Sequence, residues 1–196
     1  MMESFIYLAS QSPRRRELLE RIGIGFEVVD AAVDETPGED ELPEVFVLRM
    51  ALEKARAGYN GLGGRPPAPV LGADTVVVLD EEIMGKPRDE ADALAMLERL
   101  SGNTHRVLTG VALADDREAT RLSVSHVTMR AMSEEERRCY WATGEPRDKA
   151  GGYAIQGRGG VFIEHLDGSY SGVMGLPLFE TTLLLDDFSI PWLPSW

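Results

Sequence analysis

Two rhythms of apolar residues alternate along this chain. Short runs rich in β-branched and aromatic residues read as strands, and longer stretches with apolar residues every three or four positions read as helices. Residues 5–9 form a short buried strand, and a helix follows with Ser12 at its N-cap, Pro13 as its first residue and Leu18, Leu19 and Ile22 as its stripe. It stops at Gly23, and residues 26–29 return to a strand. After an acidic loop over 34–41, residues 43–59 read as a helix with Val45, Leu48, Leu52 and Ala55 as its apolar stripe. The Gly/Pro-rich residues 60–69 read as a surface connection.

Residues 70–79 are the most apolar run, a central strand by their β-branched content, with Asp74 in their midst. Asp80, Glu81 and Glu82 turn this run into a short strand at Ile83-Met84, and a helix over 90–100 is capped by Asp89. Residues 106–113 and 122–130 alternate well enough to pair as antiparallel neighbours. Ser133 and Glu136 form a capping box for a helix to about Thr143. Gly-rich residues 149–160 lead into an expected hairpin, 161–166 with 170–174 about Asp167-Gly168, and Pro177 starts a last helix to about Leu185. The class is α/β: a long mixed, twisted sheet flanked by helices, in a single domain of two lobes spanning 1–196 with a C-terminal tail at 186–196, whose residues 190–196 read as packed but dispensable.

Charge changes the picture. With 33 acidic against 20 basic residues the net charge is -13, which argues against a duplex nucleic-acid binder, so an anionic substrate needs a local basic pocket. No apolar run approaches the roughly 20 residues of a membrane span. The lone Cys139 excludes an intramolecular disulfide and fits a reducing compartment, and the expected location is cytoplasmic. Against that acidic background, Ser10-Gln11-Ser12-Pro13-Arg14-Arg15-Arg16 stands out. The first turn of a helix already carries partial positive charge and favours Asp or Glu, yet three arginines sit there. Arg16 is expected to pair with Glu20 one turn on; Arg14 and Arg15, with the hydroxyls of Ser10 and Ser12, read as a phosphate site.

Asp74 is the second oddity, because a carboxylate in an apolar strand is costly unless paired, hydrogen-bonded or metal-bound. It reads either as a partner of a nearby Lys or Arg, or as a general base or metal ligand at the floor of a cleft. Asp34 and Glu35 in the acidic loop form a candidate divalent-ion set with Asp74, although such loops are usually solvated. Taken singly, Lys54 and Lys86 read as surface lysines. His105, His126 and His165 lack partners at metal-ligand spacing and read as structural. Gly157-Arg158-Gly159-Gly160 lacks the Lys-Ser/Thr of a P-loop.

Together these stretches resemble the Maf family of nucleoside triphosphate pyrophosphatases. The resemblance rests on Leu8-Ala9-Ser10-Gln11-Ser12-Pro13-Arg14-Arg15, Val33-Asp34-Glu35, Glu53-Lys54-Ala55, Leu71-Gly72-Ala73-Asp74-Thr75 and Gly85-Lys86-Pro87. It continues through Leu100-Ser101-Gly102, Asp148-Lys149-Ala150-Gly151-Gly152-Tyr153, Ile155-Gln156-Gly157 and Gly175-Leu176-Pro177. It implies a cleft between two lobes, hydrolysis of a nucleoside triphosphate to the monophosphate and pyrophosphate, and a divalent ion, Mg or Mn. It makes Asp74 the acceptor of the water proton and a metal ligand with Glu35, and gives Ser10, Arg15, Lys54 and Lys86 to the triphosphate. Arg14, Thr75 and Gln156 resemble the branch acting on dTTP and UTP, modified pyrimidine nucleotides included, whereas the branch acting on 7-methyl-GTP carries Trp, Gln and Glu there. The Gln156 amide offers the donor and acceptor that a pyrimidine O4/N3–H edge requires. The resemblance also implies a homodimer, while the charge and the apolar runs point to no nucleic-acid or membrane partner. The alternatives are a nucleotide-binding regulator of septum formation without catalysis, and a phosphatase releasing inorganic phosphate.

Overall fold

A computed structural model describes residues 5–193 of the protein. In chain order its elements are β1 (Phe5–Ala9), α1 (Pro13–Arg21), β2 (Gly25–Val28), α2 (Pro43–Asn60), β3 (Val70–Leu79), β4 (Glu82–Met84) and α3 (Glu90–Leu100). They continue with β5 (Thr104–Ala114), β6 (Glu118–Met129), α4 (Glu134–Ala142), β7 (Ile163–Asp167), α5 (Tyr170–Met174) and α6 (Leu178–Asp187). The strands form one sheet in the order β2-β1-β3-β5-β6-β7, with β4 on the edge of β3. β1 runs parallel to β2 and β3, while β3, β5, β6 and β7 are antiparallel neighbours. The sheet is mixed, as the sequence predicts. No helix among the described residues is long and apolar enough to cross a membrane.

Strand alternation divides the core. On one face of β3, Leu71 and Ala73 join a cluster with β1, α1 and α6, and Val77 and Leu79 join a second with α3, α4 and Met84. On the opposite face Val76 and Val78 meet Phe46, Val47 and Met50 of α2. Glycines let α2 lie close to the sheet. A Cβ at Gly72 would stand 2.2 Å from the Ala51 carbonyl oxygen, and one at Gly110 would stand 2.5 Å from that of Val47.

The edge of β3 decides where a site can form. β1 pairs with β3 only as far as Ala9 opposite Gly72, and β4 begins pairing at Val77 opposite Met84. Among the described residues, Ala73–Val76 therefore have a strand neighbour, β5, on one side only, and Asp74, Thr75 and Val76 border a cleft.

Three expectations are corrected. The apolar stripe assigned to α2 matches its buried face only at Ala55: Val45 is 53% exposed and Leu48 and Leu52 are half-buried, while Phe46, Val47, Met50, Ala51 and Gly58 are buried with Ala55. The face turned inward is the one whose backbone at Ala51 and Val47 lies against Gly72 and Gly110 of the sheet. The 161–166/170–174 hairpin does not form. β7 pairs with β6 instead, and Tyr170–Met174 is a short helix whose Ser169 cap accepts from Gly172 N. The supposed tail is in part structural: Asp186 and Asp187 belong to α6, and Ile190 and Trp192 pack against the first core cluster. Residues 194–196 of that tail lie outside the described residues.

Candidate active site

The cleft at the open edge of β3 has a volume of about 1150 Å³ and is bordered by Ser10, Arg14, Arg15, Glu35, Lys54, Asp74, Thr75, Lys86 and Gln156. These candidates named from the sequence thus border one cavity; Asp34, the third member of the expected divalent-ion set, does not, and its carboxylate accepts from Thr36 N at 3.0 Å and Thr36 Oγ1 at 2.6 Å.

Groups reach this cavity from both faces of the sheet. Asp74 shares the α2 face of β3 with Gly72 and Val76, and Lys54 sits on the sheet-facing stripe of α2, one turn from Met50, Ala51 and Gly58. Their side chains are 11% and 15% exposed, for Lys54 and Asp74, and Lys54 Nζ lies 2.7 Å from Asp74 Oδ1. The same ammonium lies 2.6 Å from Glu35 Oε1 of the acidic loop. The hydrogen bond from Lys54 holds the Glu35 carboxyl below the ordinary carboxylate range against the cost of burial, with help from the charges of Lys86 and Arg15.

On the other face, Arg15 is braced at three points. Nε donates to the Gly175 carbonyl at 2.8 Å, one terminal nitrogen to Ser10 Oγ at 3.1 Å and the other to Thr75 Oγ1 at 3.3 Å. Ser10 Oγ also accepts from Ser12 N at 3.2 Å, while the Ser12 side chain makes no cap bond to α1. Desolvation lowers the Arg15 pKa from its ordinary value, and the charge of Asp74 opposes that shift. Thr75 is engaged below the guanidinium rather than above it: its hydroxyl is 3.0 Å from Thr109 Oγ1, which donates to the Gly172 carbonyl at 2.8 Å.

The three arginines of the first turn have separate surroundings. Arg14 NH1 approaches Asp148 at 3.9 Å across the cleft mouth. The expected Arg16–Glu20 pair does not form: Arg21 and Glu17 make an i, i+4 pair at 2.6 Å, and the buried Nε of Arg16 has no hydrogen-bond partner. At the far end of the cleft, Gln156 is exposed on a turn closed by Gly157 N donating to the Ala154 carbonyl at 3.2 Å.

The family model described as Maf-like protein matches residues 5–188. This chain belongs to the Maf family. A dTTP/UTP pyrophosphatase of Alkalilimnicola ehrlichii is 68% identical over 97% of this chain and 96% of its own. Another dTTP/UTP pyrophosphatase, from Aromatoleum aromaticum, is 54% identical over 97% of this chain and 98% of its own. Among solved structures, the Staphylococcus aureus Ham1 protein overlaps 64% of this chain and 71% of its own with a TM-score of 0.42 at 15% identity.

The Maf cleft also contains groups to which sequence reading assigned no role. Lys149, 14% exposed, lies against Asp148 and donates to the Glu145 carbonyl at 3.3 Å. Its signal was present in the Asp148-Lys149-Ala150-Gly151 block. Thr109 carried no such signal, since it meets Thr75 only through the β3–β5 register, 34 positions away.

For a divalent ion, the donor set here is two carboxylates. Glu35 and Asp74 converge on one cation, the Lys54 ammonium, and no group of three His, Cys, Asp or Glu among the described residues is placed to hold a metal. Two carboxylates fit an ion of the Mg type, which keeps several waters and takes further oxygens from substrate phosphates.

Proposed function

We propose that this Maf protein hydrolyses dTTP and UTP to the monophosphate and pyrophosphate. One observation carries the reading: the cleft joins Asp74 to the cations of Arg15, Lys54 and Lys86, in a chain whose relatives bear that activity in their names. Water attacking a nucleoside triphosphate approaches an electrophile that already carries about four negative charges, so cations and positioning dominate the catalysis.

Arg15 would present its guanidinium to the phosphates from a fixed place, because Gly175, Ser10 and Thr75 set its plane. Lys54 and Lys86 would add charge, the first from a partly desolvated position. Asp74 would take the water proton, which requires a carboxylate that is ionised and near the reacting phosphate. Its Oδ1 accepts from Lys54 Nζ at 2.7 Å, which fixes its place at the cleft floor. Glu35 and Asp74 would hold the divalent ion, whose chemistry is to neutralise phosphate charge. Gln156, with Arg14 beside the cleft mouth, would meet the base. This distribution also accounts for an acidic protein that keeps a cationic pocket.

The test is a nucleotide panel scored separately for monophosphate, pyrophosphate and inorganic phosphate. UTP and dTTP are expected to yield monophosphate and pyrophosphate. Release of inorganic phosphate instead would make the protein a phosphatase, and binding without turnover would leave a nucleotide-binding regulator. Asp74→Asn is expected to lower kcat by about a hundredfold or more while nucleotide affinity stays close to wild type. Unchanged turnover in that variant removes Asp74 from the base role.

A further inference from the structure

The turn that carries Gln156 is gripped on both sides by a polar cluster lying behind it. Tyr140 of α4 is 3% exposed, and its hydroxyl accepts from Ala154 N at 3.0 Å on the leading side of the turn. The same hydroxyl donates to Glu145 Oε1 at 2.6 Å. Glu145 in turn accepts from Gly159 N at 2.9 Å on Oε1 and from Arg158 N at 3.0 Å on Oε2, on the trailing side.

The fit is close as well as polar. A Cβ on Gly157 would stand 2.2 Å from Glu145 Oε2, and one on Gly159 would stand 2.5 Å from the Tyr140 hydroxyl. Burial, with the adjacent carboxylate, raises the Tyr140 pKa above the usual tyrosine range, so the group remains a donor. Burial works against ionised Glu145, but its three hydrogen bonds outweigh that cost and hold its pKa below the ordinary carboxylate value. The carboxylate is an acceptor only, matched to three donors.

We propose that Tyr140 and Glu145 are positioning residues for base recognition, holding the Ala154–Gly159 backbone so that Gln156 stands at a fixed depth in the cleft. This rests on the reading of Gln156 as the group that meets the base. An exposed glutamine on a loose turn would lose orientation entropy on each binding event, and a turn held at Ala154, Arg158 and Gly159 has spent that entropy in folding. The cluster acts on the nucleoside end of the substrate and leaves the phosphate end to Arg15, Lys54 and Lys86.

The experiment measures inhibition of UTP hydrolysis by two probes, uridine monophosphate and inorganic pyrophosphate, in wild type, Tyr140→Phe, Glu145→Gln and Gly157→Ala. Thermal melts run in parallel. The expected result is an inhibition constant for uridine monophosphate raised about tenfold in all three variants, with that for pyrophosphate within about twofold of wild type. Equal weakening of both probes, or of neither, overturns the proposal. Tyr140→Phe removes a single oxygen and keeps the test open if a bulkier change unfolds the chain. Gln156→Ala separates the two layers of the argument. If it leaves uridine monophosphate affinity unchanged, the reading of Gln156 fails and the proposal fails with it. If it weakens that probe while the other variants do not, only the positioning role is overturned.

Discussion

The Thr109 hydroxyl has one hydrogen, and it goes to the Gly172 carbonyl at 2.8 Å. Thr75, 3.0 Å away, must therefore donate to Thr109, and one of its two lone pairs receives Arg15 at 3.3 Å. The chain of bonds runs one way, from a guanidinium in the cleft to a backbone carbonyl in the core. Thr109→Val cuts it at a site with no solvent access, leaving Thr75 without that acceptor and the Gly172 carbonyl with only the Gly175 N–H. The expected outcome is a KM for UTP raised about three- to tenfold with kcat little changed, a stability loss of about 1–3 kcal/mol, and recovery in Thr109→Ser. Steady-state kinetics with denaturant titration check all three. The residue types at Ser10, Arg15, Lys54, Asp74 and Gln156 were legible one at a time, as polar or charged groups in unexpected places. What Thr75 does was not, because its partners lie on α1 and β5.

Among elements, α2 and β3 bring Lys54 and Asp74 together. Lys54 was readable as a surface lysine only while Val45, Leu48 and Leu52 were taken as the buried stripe. With Met50, Ala51 and Gly58 facing the sheet, position 54 points at β3 by helical spacing alone. Gly110, directly opposite Asp74 in the β3–β5 register, is one of the two places where the α2 backbone lies against the sheet. Gly110→Ala is expected to push α2 outward, cost about 2–4 kcal/mol, and reduce turnover beyond what the lost stability explains, because Lys54 moves with the helix. Thermal melts with kcat measured well below the melting temperature test this, and unchanged kcat in a destabilised variant would count against it. The misread hairpin has a similar cause. Five residues such as Tyr170–Met174 suit either conformation, and here the Ser169 cap and the Gly172 carbonyl accepting from Thr109 favour a helix.

At the level of the whole molecule, pH links the buried groups to stability. His105 is 2% exposed with Nε2 2.7 Å from the Tyr153 hydroxyl, and burial lowers its pKa to about 4. The unfolded chain, with an ordinary histidine near 6.5, then binds more protons than the folded one between pH 6.5 and 4, so stability falls as pH falls through that window. The expected loss from this one group between pH 7 and pH 5 is about 2 kcal/mol. Glu35, Glu41, Glu136 and Glu145 have depressed folded values, and their contributions are present above the unfolded carboxylate range and lost further down, as pH falls through those values. Urea titrations at pH 7 and pH 5 are expected to show a smaller drop for His105→Gln than for wild type. An equal drop would assign the dependence to other groups.

The order of residues along the chain determined most strands and helix starts, the acidic character, and which side chains were candidates for the chemistry. Those properties depend on neighbours within a few positions, where propensity, capping and periodicity act. The tertiary structure alone decided that β1 stops beside Gly72 and β4 starts beside Val77, opening the edge of β3 between them. It also decided that Lys54 reaches Asp74 across 20 positions, that Thr75 meets Arg15 across 60 and that Gly175 does so across 160. Contacts at such separations follow from strand pairing and the close approach of α2 at two glycines, and no local pattern encodes them.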